Sequence, residues 1–136
     1  MMNVEVNYLS VFLAGISAMV IGAFWYSPMI FAKPWAKAAG LKMSDMQSAN
    51  MPLAYGLMFA GALLEAYVLK HVLAFAGAGD ISSALMGAFW TWLGFVAPLS
   101  LSGVLFEKKE WNWYYITVGY QLVTLLAMSA ILTLWM

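Results

Sequence analysis

The chain has 136 residues, 65% of them hydrophobic and only 9% charged, with six basic residues balanced by six acidic ones. Soluble domains carry roughly 25% charged residues, so the composition excludes an ordinary soluble fold, and the lack of a basic surplus argues against nucleic acid as a partner. With no cysteine and a single histidine, there is no disulfide framework, thiol nucleophile, iron–sulfur ligand set or histidine-rich metal site, and no metal or cofactor is expected.

The charges are segregated along the chain. Val6 to Ala32, Ile81 to Phe106 and Trp111 to Met136 contain none, and Met51 to Ala76 contains only Glu65, Lys70 and His71. A spanning helix needs about 20 mainly apolar residues. The pattern therefore predicts an all-α integral membrane bundle, a single domain over 1–136, with four transmembrane helices near 8–31, 51–76, 81–106 and 111–135. The first run has no basic lead-in and exceeds the roughly 7–15-residue apolar core of a signal peptide, so it is read as a retained span.

Between the first two spans lies FWYSPMIFAKPW, residues 24–35. Trp25, Tyr26 and Trp35 have the amphipathic rings that settle at headgroup level. Pro28 removes a hydrogen bond to the Phe24 carbonyl and should end or kink the first span. With Ser27 in the turn, these residues form an interfacial corner. Pro34 suits the first turn of a short interfacial helix over PWAKAA, and Gly40 suits its end. Ser44 and Gln47 offer a capping box leading into the second span.

Four spans put both termini on one side. Lys33, Lys37 and Lys42 lie in the first connection and Lys108 and Lys109 in the third, against Lys70 alone near the opposite face. Basic residues in short loops mark the cytoplasm. The expectation is a multi-pass protein of the bacterial inner membrane, N-out and C-out, with the corner and its short helix on the cytoplasmic side.

The corner and the later LFEKKEWNWYYITVGYQLVTLLAMSAILTLW together resemble a bacterial membrane family known only as domain of unknown function seventeen-sixty-one. The matching residues are Trp25, Tyr26, Ser27, Pro28, Phe31, Trp35, Gly40, Leu105, Phe106, Gly119 and Tyr120. The resemblance covers nearly the whole chain, and the corner is its most specific part. Lys108 and Lys109 stand where the family often carries Gly-Arg. The resemblance implies four spans and no assigned activity.

Lipid supplies no hydrophobic drive between helices, so close contacts use small residues. Ala14, Ala18 and Gly22 in the first span, Gly56, Ala60, Ala62 and Ala66 in the second, and Ser83, Gly87 and Thr91 in the third predict tight first–second and second–third contacts. A homo-oligomer or a place in a larger membrane complex is expected, because four helices leave much surface to lipid. GAFW occurs at 22–25 and at 87–90, but at different depths in the bilayer, which argues against an inverted or tandem repeat.

Glu65 is the sharpest chemical feature. A charged acid near the bilayer centre costs about 2.5–3.5 kcal/mol on insertion scales, so it must face protein or water, find a partner, or keep its proton. The expectation is a neutral Glu65. Lys70, five residues on and about 140° around the helix, is poorly placed to pair with it. By depth, Ser17, Thr91, Gln121 and Thr124 lie at the same level, and Thr117, Gln121 and Thr124 share a face of the last span. The leading reading is a hydrogen-bonded midplane cluster in a non-catalytic packing or accessory protein. The first alternative is a small channel or proton-coupled carrier centred on that cluster. Trp90 and Trp92 lie deeper than interfacial belts, and their indole N–H groups need acceptors. They supply a second alternative, the lining of a lipid, quinone or pigment site. No paired acids, Ser-His-Asp set, metalloprotease helix or phosphate loop occurs, so an enzyme is not expected.

Overall fold

The computed structural model describes residues 4–27, 30–40 and 51–135. Within them the chain forms five helices and no strand. They are α1 (Tyr8–Trp25), α2 (Ala32–Ala39), α3 (Met51–Phe75), α4 (Ile81–Leu105) and α5 (Trp111–Leu134). α1, α3, α4 and α5 are each long and apolar enough to cross a membrane. The predicted all-α membrane bundle with a short helix after the first span is therefore what the chain forms.

Local chemistry sets the boundaries. Asn7 caps α1 by accepting from the Leu9 N–H at 3.0 Å, and its side-chain amide donates to the Trp135 carbonyl at 2.9 Å. That bond joins the start of α1 to the end of α5. α1 stops at Trp25, six residues short of the expected 31, where Tyr26 and Ser27 leave the helix. The Phe31 N–H bonds the Trp25 carbonyl and the Ala32 N–H bonds the Ser27 carbonyl. Pro28, the Ser44–Gln47 box and Lys42 lie outside the described residues. α2 has Pro34 in its first turn and ends at Gly40, whose φ of +76° gives the left-handed stop that glycine adopts without strain. α3 closes at Gly77 (φ +74°), with the Ala78 N–H reaching back to the Leu73 carbonyl. The Asp80 carboxylate then caps α4 through the Ser83 N–H at 2.7 Å.

α4 carries a feature that hydropathy does not announce. Trp92–Val96 is one turn of π-helix, and the Ala97 N–H bonds the Trp92 carbonyl five residues back. Pro98 follows immediately. It has no N–H to give the Gly94 carbonyl, and its ring crowds that carbonyl. Widening the turn by one residue relieves the crowding, as π-bulges do.

α5 is the hub. It packs heavily against α1 and α4, holds α2 across its first turns, and touches α3. The second large contact is α1 with α3, while α3 and α4 meet lightly. The expected tight second–third contact is therefore narrow. It centres on Gly87, where a Cβ would lie 2.9 Å from Leu73 Cδ2. The Ala18–Gly22 stripe of α1 borders both α3, across the cavities that Ala18 shares with Met58 and Ala62, and α5. The Ala18 carbonyl accepts from Tyr120, and a Cβ on Gly22 would lie 3.1 Å from the Tyr120 hydroxyl. Gly15 is the residue that lets α3 approach α1, through Leu63. The core between the helices is alanine-rich, with Ala14, Ala18, Ala62, Ala66, Ala84 and Ala88 surrounding Leu125, Met128 and Leu132. Small side chains there allow close backbone approach, which is how membrane helices gain dispersion contact.

Candidate functional site

Glu65 sits in the middle of α3 and borders two cavities. The first is an open cleft of 430 Å³ between α3, α4 and α5, lined by Glu65, Thr91, Thr117, Gln121 and Ser100 among apolar residues that include Val72, Phe95 and Leu99. The second, 270 Å³, lies between α1, α3 and α5, and Glu65, Tyr120 and Gln121 border it with Ala18, Met19 and Met58. Ala18, Met19, Met58 and Tyr120 also line a third space of 400 Å³ that extends to Tyr26 and Tyr55, at the α2 end of the bundle. The cleft is open because α3 and α4 touch so lightly there, and the π turn supplies its α4 wall through Phe95 and Val96.

The expected cluster is partly assembled. Thr91 and Gln121 line the cleft with Glu65. The Thr91 hydroxyl is spent on the Gly87 carbonyl one turn back, at 2.8 Å. Thr124 is fully buried, lines neither cavity, and its hydroxyl has no hydrogen-bond partner among the described residues. Ser17 does not join them. It bonds the Ala14 carbonyl at 2.6 Å and borders a different groove with Ile131 and Trp135, because its place on α1 lies around the helix from Ala18. Among the described residues Glu65 and Gln121 make no hydrogen bond or ion pair. The cluster is thus a set of facing polar groups, not the closed network expected of a packing device. Depth counting placed the residues at one level, but could not tell which side of each helix met which neighbour. It missed Ser100, and Tyr120 as the second-cavity wall.

The aromatic candidates serve a different purpose. Trp25 donates its indole N–H to the Ile116 carbonyl at 2.9 Å, Trp35 to the Thr117 hydroxyl at 3.2 Å, and Trp92 to the Val118 carbonyl at 2.8 Å. Three tryptophans from three elements thus converge on three consecutive residues of α5. Tyr114 adds a bond to the Ala97 carbonyl at the π turn, and Tyr120 one to Ala18, 2.8 and 2.9 Å long. The corner rings do not simply float at headgroup level. Tyr26 packs edge-on against Trp35 and Tyr120, and the Trp25 ring lies tilted against Phe31. Gly119 leaves room for Trp25, whose ring would lie 3.1 Å from a Cβ there. Trp90, by contrast, is 63% exposed. Trp90 and Trp92 do not line either cavity at Glu65. A shared ligand site formed by these two rings does not fit the geometry, because one faces outward and the other is bonded to α5.

The electrostatics outside the spans are plain. Lys33 and Lys37 project from the exposed face of α2, while Ala32, Ala36 and Ala38 are buried. Lys109 lies 4.3 Å above the Trp113 ring, a cation–π contact, and the Glu110 N–H bonds the Ala38 carbonyl, which ties the charged EKKE loop to α2. The Asp80 carboxyl is held below its ordinary range by the hydrogen bond from the Ser83 backbone. Among the described residues no three His, Cys, Asp or Glu side chains gather in a way that could hold a metal ion.

Four apolar helices keyed to one central span, with a carboxyl at mid-depth, define a polytopic helical membrane protein. The profile of the family described as protein of unknown function, DUF1761, matches residues 9–133, and the chain belongs to that family. No curated protein and no solved structure matches the chain.

Proposed function

We propose that this is a non-catalytic inner-membrane protein, N-out and C-out, that moves protons or a proton-linked solute across the bilayer through Glu65. One observation carries the reading: a mid-span carboxyl with no hydrogen bond or ion pair among the described residues, bordered by a cavity on each side of α3. A packing subunit needs its midplane acid bonded and sealed, since each unsatisfied polar group in the membrane interior is costly. A carrier needs the acid open, free to change partner and reachable from more than one direction. The arrangement around Glu65 favours the carrier over the accessory role expected from composition.

The test is proton flux in proteoliposomes under an imposed pH gradient. Glu65→Gln abolishes Glu65-dependent flux while the protein still assembles with the wild-type elution profile. Unchanged flux in both Glu65→Gln and Glu65→Ala sinks the proposal. Thiol labelling of cysteines placed at Thr117 and Gln121 gives a second reading. A carrier labels with a water-soluble maleimide at these positions, and a sealed bundle does not.

A further inference from the structure

We propose that the cleft between α3, α4 and α5 binds a lipophilic monocation, a single positive centre carrying apolar groups, in exchange for the Glu65 proton. The inference rests on Glu65 as the working carboxyl and adds the class of molecule it exchanges.

The charge pattern of the cleft selects the sign. Its one ionisable group is an acid, and no lysine or histidine lines it. From the packed elements, α4 contributes only the Thr91 and Ser100 hydroxyls, and α5 contributes Thr117 and Gln121. Tyr120 on α5 faces Glu65 from the second cavity, and α1 has no charged residue between Tyr8 and Trp25. On α3 itself, His71 is turned back onto the Tyr67 carbonyl at 2.9 Å and Lys70 lies off the cleft wall. An anionic ligand would meet no counter-charge, whereas a cation meets an acid with no competing ion pair.

The walls select the rest. Val68, Leu69, Val72, Phe95, Val96 and Leu99 surround the single acid. A small hydrated cation would lose its water there without gaining enough oxygen ligands, since hard ions require six or more. A cation wrapped in hydrocarbon or aromatic groups arrives already poorly hydrated and gains apolar burial. The volume of 430 Å³ falls in the range of small-molecule sites, about 300–1,000 Å³. The opening lies between two lightly touching spans, so entry is lateral, from the bilayer, where such cations concentrate.

The exchange balances. The Glu65 O–H bond breaks, the proton leaves to water by way of the second cavity and the space toward Tyr26, and the carboxylate forms an ion pair with the cation. The site holds a neutral acid before and a neutral pair after, so neither state places a net charge at the bilayer centre, where an uncompensated charge is expensive.

Isothermal titration of the detergent-solubilised protein with tetraphenylphosphonium tests this. The expected result is saturable binding that tightens as pH rises, with one proton released per cation in weakly buffered solution. Glu65→Gln weakens binding roughly thirtyfold or more, the scale of deleting one partner of a desolvated charge pair. Glu65→Asp retains both binding and proton release, which separates loss of the acid from loss of the fold. Absence of saturable binding, binding without proton release, or equal affinity in Glu65→Gln overturns the proposal. If the cation does not bind yet proton flux still requires Glu65, the substrate class is wrong and the carrier stands. If wild-type protein shows neither, both fall.

Discussion

At the scale of single residues, the unusual groups are polar atoms without partners. Among the described residues these are Glu65, Gln121 and Thr124. The Thr124 hydroxyl is fully enclosed and, among the described residues, forms no hydrogen bond that meets ordinary geometry. A buried hydroxyl left unpaired costs about 1–3 kcal/mol. Valine has nearly the same shape, so Thr124→Val should raise thermal stability in detergent by about 1 kcal/mol; a lower melting temperature would show that the hydroxyl is bonded in the membrane. Asp80 behaves in the opposite way, because its charge is used. A carboxyl held below its ordinary range in the folded protein contributes stability above that range and loses it as pH falls through the depressed value. Melting temperature should therefore drop on acidification into the range where Asp80 protonates. Asp80→Asn, which can still accept from the Ser83 N–H, should flatten that part of the pH profile while keeping the cap. An unaltered acid limb in Asp80→Asn would assign the pH dependence to other groups.

At the scale of elements, the spans and the short helix were legible because burial in lipid imposes one simple demand, a long run without charge. Pro34 and Gly40 marked the ends of α2 for equally local reasons, whereas the Asp80 cap of α4 was not read from the sequence. What was illegible depends on which face meets which neighbour. The Ala14–Ala18–Gly22 stripe announced the close contact of α1 with α3, but not that α5 would pack on α1 as closely. The indole bonds of Trp25 and Trp92 left no periodic trace, since a backbone acceptor has no sequence signature, and no local pattern pairs Trp35 with the Thr117 hydroxyl. Of the cluster expected by depth at Glu65, Thr91 and Gln121 line the same cleft, while Ser17 borders another groove, because rotation about α1 decides where it faces. The two neighbouring tryptophans of α4 provide a direct comparison. Trp92→Phe removes the 2.8 Å bond to Val118 and should cost about 1 kcal/mol. Trp90→Phe, on a ring 63% exposed, should leave the melting temperature unchanged. Equal effects would mean that Trp92 contributes through ring packing and not through its N–H.

At the scale of the whole molecule, the Asn7–Trp135 bond joins the start of α1 to the end of α5, and α2 with the EKKE loop gathers lysines at the other end of the bundle. In the proposed orientation that lysine-bearing end is cytoplasmic. A C-terminal alkaline phosphatase fusion, active only when exported, should be active, and a C-terminal β-galactosidase fusion should be silent. The reverse pattern would invert the protein and with it the side from which the space near Tyr26 opens to Glu65.

The central position of α5 also bears on how the protein is made. α5 is the last of the four spans to leave the ribosome, yet it supplies the acceptors for all three indoles and the donors from Tyr114 and Tyr120. Until it inserts, α1 and α4 are lipid-embedded segments with little to hold them to each other. Assembly therefore runs late, and a chain interrupted before Trp111 leaves its partners with unclaimed donors, a state that membrane quality-control proteases are suited to recognise.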